Sequence, residues 1–391
     1  MLIRSQAPLR LTFSGDGTDV EPYLSSFGGL VLNAAIDKYA HVTLRLHDGE
    51  RVNVRSLDYD RQESFDPHSP SRCSDELGLV KATLLRACPF PRQGMEITMR
   101  SDVRPGTGLG GSSSMAVALV ALFRQWRCQP FVAQEIAETA YCAERIDMQI
   151  PGGKQDQYAA AFGGFNLLEF RHDGTSVQAL TLPPVVMAGL EANLLLCHTG
   201  TTRHSAHIIT AQVGQVETGQ AAVLAAMDAL KRISQELAGF LLRGRLDDFG
   251  ALLHEAWMNK RKMAAEVSNP HIDELYDTAR SHGALGGKLA GAGAAGYLFF
   301  YCPTGCKHRV MKSLARLGVH SEAFSFVAQF MNVHLCVWMR LSPRTVPSFR
   351  RVRRTGQMVV RQPSDADLRD ARCTTSPNFA GDTRCLLPIA Q

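Results

Sequence analysis

Pro105-Gly106-Thr107-Gly108-Leu109-Gly110-Gly111-Ser112-Ser113-Ser114 sets four glycines and three serines directly before an apolar segment, Met115 to Trp126, that is patterned as a helix. Glycine tolerates the positive φ values that turn successive backbone N–H groups toward one point, and serine is favoured at a helix start. Free amides at a helix N-terminus, with the positive end of its dipole, attract an anion, and nearby hydroxyls can reach a phosphate-bound cation. The stretch therefore predicts a nucleoside triphosphate site. Two other readings stand beside it: a plain glycine turn with a serine cap, and the dinucleotide fingerprint that Gly106-x-Gly108-x-x-Gly111 formally satisfies. The fingerprint calls for a buried parallel strand upstream. Here Met95, Ile97 and Met99 alternate with Glu96, Thr98 and Arg100, as in a strand with one wet face, and Pro105 interrupts the junction. The glycine-lysine-Ser/Thr ending of a P-loop does not follow.

The chain has 391 residues, 45% hydrophobic and 20% charged, enough for a large core and two domains. Its opening, Met1-Leu2-Ile3-Arg4-Ser5-Gln6, has no apolar signal core, and no apolar run reaches membrane-spanning length. A cytoplasmic protein without a membrane partner is expected. The ten cysteines are scattered and read as small core residues. Cys302-x3-Cys306-x-His308 and His204-x2-His207 have metal-like spacing but lack a second half. The net charge of +5 comes from the C-terminal end: residues 330–391 hold ten arginines, no lysine and four aspartates, which leaves the first 329 residues at −1. Such a body offers no basic face for nucleic acid.

Strand patterns dominate the first hundred residues, followed by helices over about Asp75 to Ala87 and Phe131 to Met148. In the latter, Glu144 falls on the stripe of Ala133, Ala137 and Ala140, which points a carboxylate toward packed structure. Pro183-Pro184 marks a boundary, giving an N-terminal domain over 1–184 and a C-terminal domain over 185–329. A second glycine-rich run, Gly286 to Gly296, precedes the strand-like Tyr297 to Tyr301. Residues 330–391 show no helical or strand period and read as an irregular arginine-rich tail.

Three separated motifs then carry a resemblance: Ala7-Pro8-Leu9-Arg10 with Ser14-Gly15-Asp16-Gly17-Thr18-Asp19, Pro105 to Ser114, and Gly287 to Gly296. Together they resemble the GHMP small-molecule kinases. Gly153-Lys154-Gln155-Asp156-Gln157 and Thr199-Gly200-Thr201-Thr202-Arg203-x-Ser205 narrow the likeness to the D-glycero-D-manno-heptose 7-phosphate kinases. The resemblance implies an α+β, two-domain fold, ribosomal-S5-like then ferredoxin-like. It also implies ATP- and Mg2+-dependent phosphorylation of the anomeric hydroxyl of a sugar phosphate. A fucokinase- or galactokinase-like activity, or an inactive binding protein of the same fold, are the alternatives, and a homodimer stays open.

By the same resemblance, Pro105, Gly106, Gly108, Leu109, Gly110, Gly111, Ser112 and Ser113 surround the ATP phosphates, Ser112 and Glu144 hold Mg2+, and Asp156 and Arg10 are catalytic. A hydroxyl and an inward carboxylate suit a hard cation, and a carboxylate beside the acceptor can take its proton. Asp19, Lys154, Arg203, Gly291 and Gly293 are implied to bind the substrate, with Lys154 and Arg203 suited to its 7-phosphate. Plainer readings exist: Asp156 as a helix-start residue, Asp19 as a turn residue, Lys154 and Arg203 as surface cations. Asp16, Ala294 and Ala295 stand where the resembled kinases usually have glycine. Asp16 brings a negative charge that would repel phosphates unless a cation faces it.

Overall fold

In the computed structural model the irregular alternation of strand and helix signals resolves into two sheets with helices packed around them. The structure describes residues 1–68, 77–88, 93–201, 206–327 and 332–336. Residues 1–338 form one compact unit, and a second unit, 339–391, lies outside the described residues.

Chain order runs β1 (Leu2–Ser14), α1 (Tyr23–Phe27), β2 (Gly29–His47), β3 (Val52–Ser56), β4 (Arg61–Phe65), α2 (Gly78–Ala87), β5 (Gly94–Ser101) and α3 (Gly111–Trp126). Next come α4 (Ala133–Tyr141), a π-helical turn (Cys142–Asp147), α5 (Gln155–Phe162), β6 (Phe165–Arg171), β7 (Gly174–Leu180), α6 (Pro184–Asn193) and β8 (Leu194–His198). The rest is α7 (Ala206–Glu217), α8 (Ala221–Leu242), α9 (Leu246–Lys260), α10 (Pro270–Ser281), β9 (Gly286–Leu289), β10 (Tyr297–Tyr301), α11 (Lys307–Arg316), β11 (Ser321–Glu322) and β12 (Asn332–Cys336).

The first sheet has the order β12-β1-β2-β5-β3-β4, with β6 also on β2 and β7 on β6. Long β2 makes this possible: its N-terminal end pairs with β6 and its C-terminal end with β5, both antiparallel. The second sheet, β11-β8-β10-β9, is antiparallel throughout. No helix among the described residues is long and apolar enough to cross a membrane.

Strand β1 is buried on both faces. Leu9, Leu11 and Phe13 are fully buried, and the Phe13 ring meets those of Phe165, Phe249 and Phe299, so one aromatic cluster joins the first sheet, α9 and the second sheet. The alternate residues Arg10, Thr12 and Ser14 are buried as well, which puts polar groups where each needs a partner. Helix α3 is buried from Ser113 to Phe123, packed on β1 and β2 and flanked by α2, α4 and α5. An all-round apolar sequence suits a helix with no solvent face.

Two expectations need correction. The tail is not irregular from residue 330, because β12 pairs antiparallel with β1, from Leu2 opposite Cys336 to Gln6 opposite Asn332. The free edge of β1 offers unpaired N–H and C=O groups, and a short extended segment satisfies them. The helix expected over Phe131 to Met148 is α4 followed by the π turn. Asp75 and most of the arginine-rich segment lie outside the described residues.

Candidate active site

The glycine run between β5 and α3 has φ of 77° at Gly106, 82° at Gly108 and 79° at Gly110, values that L side chains rarely adopt. Gly110 caps α3, and no side chain caps that end. The amides of the first turn therefore keep their capacity for an outside acceptor. Ser112 is exposed there, beside half-buried Gly111.

The second glycine run holds this loop from behind. A Cβ on Gly108 would lie 2.4 Å from the Ala290 carbonyl oxygen, one on Gly291 2.8 Å from Gly108 Cα, and one on Gly296 2.2 Å from the Thr107 oxygen. The Tyr297 N–H donates to that Thr107 oxygen at 3.1 Å. Gly291 and Gly293, implied above to bind substrate, are both buried, and a Cβ on either would meet protein backbone, that of Val267 for Gly293. Ala294 adopts φ 64°. A side chain in the left-handed region costs about 1–2 kcal/mol, partly offset by the backbone entropy that glycine would add to the unfolded chain. Ala294→Gly is expected to stabilise the protein by about 0.5–1 kcal/mol, read as a higher denaturant midpoint with an unchanged slope.

Asp156 occupies the first turn of α5, and Arg10 reaches it from β1 across 146 positions. Arg10 Nε donates to Asp156 Oδ1 at 2.8 Å, and Nη2 lies 2.8 Å from the same oxygen. Arg10 Nη1 donates to the Gly108 carbonyl, so one guanidinium ties the carboxylate to the glycine loop. A Cβ on Gly110 would be 3.3 Å from Arg10 Nε and 3.5 Å from Asp156 Cγ. Loop, arginine and carboxylate thus form one cluster. Both bonds to Asp156 use Oδ1, which leaves Oδ2 for a further partner.

Glu144, 1% exposed, sits in the π turn. Its Oε2 accepts from Ser113 Oγ and from Gln157 Nε2, each at 2.7 Å. The hydroxyl that meets Glu144 is therefore that of Ser113, while Ser112 faces out. One residue along a helix rotates a side chain by about 100°, which is why neighbouring serines on one turn divide the work. Arg145, which sequence reading passed over, lies 3.5 Å from Glu144 Oε1 and 3.3 Å from Ser113 Oγ.

The other implied substrate residues have protein partners. Asp19, 2% exposed, accepts from the Gln155 backbone N–H at 2.9 Å and Gln155 Nε2 at 3.2 Å, which caps α5 from a distance. Burial, and to a lesser degree the Asp156 charge, raise its pKa. Lys154 Nζ is 3.2 Å from both carboxylate oxygens of Glu138 and stands over the Tyr141 ring. Arg203 lies outside the described residues.

Asp16 is 3% exposed between two lysines: Lys260 Nζ is 2.7 Å from Oδ2, and Lys288 Nζ donates to Oδ1. The negative charge expected to repel phosphates is thus faced by two cations. Burial would raise the Asp16 pKa, but Lys260 and Lys288 outweigh it and hold the carboxyl well below its usual range. Burial pushes Lys288 down to about 8 against the pull of Asp16.

Residues 78–164 match the GHMP kinases N terminal domain and residues 236–305 the GHMP kinases C terminal domain. The chain is 33% identical over 331 residues to a D-glycero-alpha-D-manno-heptose 7-phosphate kinase of Campylobacter jejuni, covering 84% of this chain and 97% of that one. The chain belongs to the GHMP kinase family. A D-glycero-D-manno-heptose 1-phosphate kinase structure from Bacteroides thetaiotaomicron superposes with a TM-score of 0.70 at 30% identity, over 86% of this chain and all of that one. The galactokinase of Lactococcus lactis shares the fold, with a TM-score of 0.68 at 16% identity over 85% of this chain and 95% of that one. This GHMP kinase is a sugar-kinase phosphotransferase related to the heptose phosphate kinases.

Proposed function

We propose that this GHMP kinase transfers the terminal phosphoryl group of ATP to the anomeric hydroxyl of D-glycero-D-manno-heptose 7-phosphate, giving the 1,7-bisphosphate. The observation that carries the reading is the Arg10–Asp156 pair at 2.8 Å, tied through Arg10 to the Gly108 carbonyl. It sets a carboxylate beside the loop whose helix start suits a triphosphate. The relative that matches over 97% of its own length supports the acceptor.

Phosphoryl transfer asks the protein mainly for position and charge complementarity. The amides of Gly111 to Ser113 would receive the phosphates, Asp156 Oδ2 would accept the proton of the attacking hydroxyl, and Arg10 holds Asp156 in place while adding positive charge. Glu144 and the serine hydroxyls of the first turn are hard oxygen donors that fit Mg2+, which usually takes one or two protein oxygens with phosphate and water completing the shell. The cation would neutralise charge on the phosphates. Lys154 would contribute to the 7-phosphate only by leaving Glu138, and Arg203 is proposed for the same group.

The test is ADP release from ATP and Mg2+ with heptose 7-phosphate, fucose, galactose and mannose in parallel. Turnover with the heptose 7-phosphate at a kcat/KM at least about a hundredfold above the other sugars supports the acceptor, since a site built for a phosphate monoester discriminates strongly. Preference for an unphosphorylated sugar overturns it.

A further inference from the structure

We propose that Arg145 is a further catalytic residue, which binds the terminal phosphate of the nucleotide between the glycine loop and Asp156. The inference rests on the proposed ATP site and goes beyond it by naming the cation that meets the transferred group. Four of the described cations around the loop are committed to protein partners, and Arg104, just ahead of Pro105, is exposed. Arg10 holds Asp156 and the Gly108 carbonyl, Lys154 holds Glu138, and Lys260 and Lys288 share Asp16. Arg145 has only long contacts: Ser113 Oγ at 3.3 Å, the Gly153 and Pro151 carbonyls at 3.4 Å, and Glu144 Oε1 at 3.5 Å. These contacts engage three of the five N–H donors, all through long bonds, which a phosphate can displace with shorter charge-assisted ones.

Its place fits that role. Ser113 belongs to the first turn of α3, where the phosphates would lie, and Gly153 belongs to the segment that leads into α5 and Asp156. A Cβ on Gly152 would come within 2.6 Å of Arg145 Cζ, so the guanidinium packs flat on that segment. The π-helical turn accounts for the placement: its wider winding lets the consecutive residues Glu144 and Arg145 both reach Ser113. A carboxylate for a cation and a guanidinium for a phosphate then stand side by side.

The experiment measures binding of ATP and of ADP, without sugar, to wild type, Arg145→Gln and Arg145→Lys by calorimetry, with thermal unfolding as the folding control. Arg145→Gln should weaken ATP binding about tenfold, the loss of one charge-assisted contact, and leave ADP binding within about twofold. Arg145→Lys should recover only part, because an ammonium lacks the planar fork. With sugar present, kcat should fall at least about a hundredfold in Arg145→Gln while the KM for the sugar phosphate stays put. Equal weakening of ATP and ADP, no change in either, or a rise confined to the sugar-phosphate KM would overturn the proposal, the last by assigning Arg145 to the substrate's own phosphate. If Arg145→Gln fails to fold, the Arg145→Lys comparison decides alone: an unchanged ratio of ATP to ADP affinity overturns the proposal. The binding arm needs no acceptor, so absence of turnover with every sugar would sink the proposed substrate and leave this result standing.

Discussion

Replacing Asp156 by Asn is expected to lower kcat by about 10²–10⁴-fold while the KM for ATP changes little. The amide matches the carboxylate in shape and can still accept from Arg10, whose second anchor at the Gly108 carbonyl is untouched. What it lacks is the ability to take the proton of the attacking hydroxyl. The glycine loop that would receive the nucleotide does not depend on Asp156 for its backbone, since its close packing is against Ala290, Gly291 and Gly296. The loss should therefore appear in turnover and not in nucleotide affinity, measured by steady-state ADP release beside ATP calorimetry. Turnover within about threefold of wild type would remove Asp156 from the chemistry.

Asp16→Asn is expected to produce the largest loss of stability, about 3–5 kcal/mol near neutral pH. Lys260 and Lys288, both at most 2% exposed, would be left facing each other with no carboxylate between them. Against a total stability of about 5–15 kcal/mol, that is enough to shift the denaturant midpoint substantially. The pH dependence gives the sign. The folded pKa of Asp16 lies below its ordinary value of 3.8, so its contribution is present above that value and is lost as pH falls toward the folded pKa. The difference between wild type and variant should be widest near pH 7 and shrink below about pH 4. Lys288 acts at the other end: with a pKa near 8 in the fold against an ordinary 10.5, its charge costs stability below pH 8, a cost relieved as pH rises through that window. A midpoint difference that stays constant across the acid range would show that the ion triad is not what Asp16 supplies.

Much of the site was readable from local chemistry. Glycine at Gly106, Gly108 and Gly110 announces positive φ, and serine ahead of an apolar run announces a helix start, because both preferences arise within a few residues. The inward carboxylate of Glu144 followed from its alanine stripe. Less legible was which serine meets it, since the answer turns on a rotation of one helical position relative to an element 31 residues away. Arg145 escaped notice because α-helical spacing puts neighbouring residues on different faces, and only the π turn brings this one back. The alternation of Asn332-Val333-His334-Leu335-Cys336 was a strand signal overlooked among arginines.

Short-range steric and hydrogen-bonding preferences were enough to expect the turns of the glycine loop and the helix start after it, since each depends on residues close together along the chain, while the resemblance to the GHMP kinases rested on three separated motifs. Packing alone established that Asp16 lies between Lys260 and Lys288, that Asp19 accepts from the start of α5, and that Gly291 lets two backbones touch. Those outcomes are set by partners 136 to 272 positions away, whose charge and bulk no local pattern records.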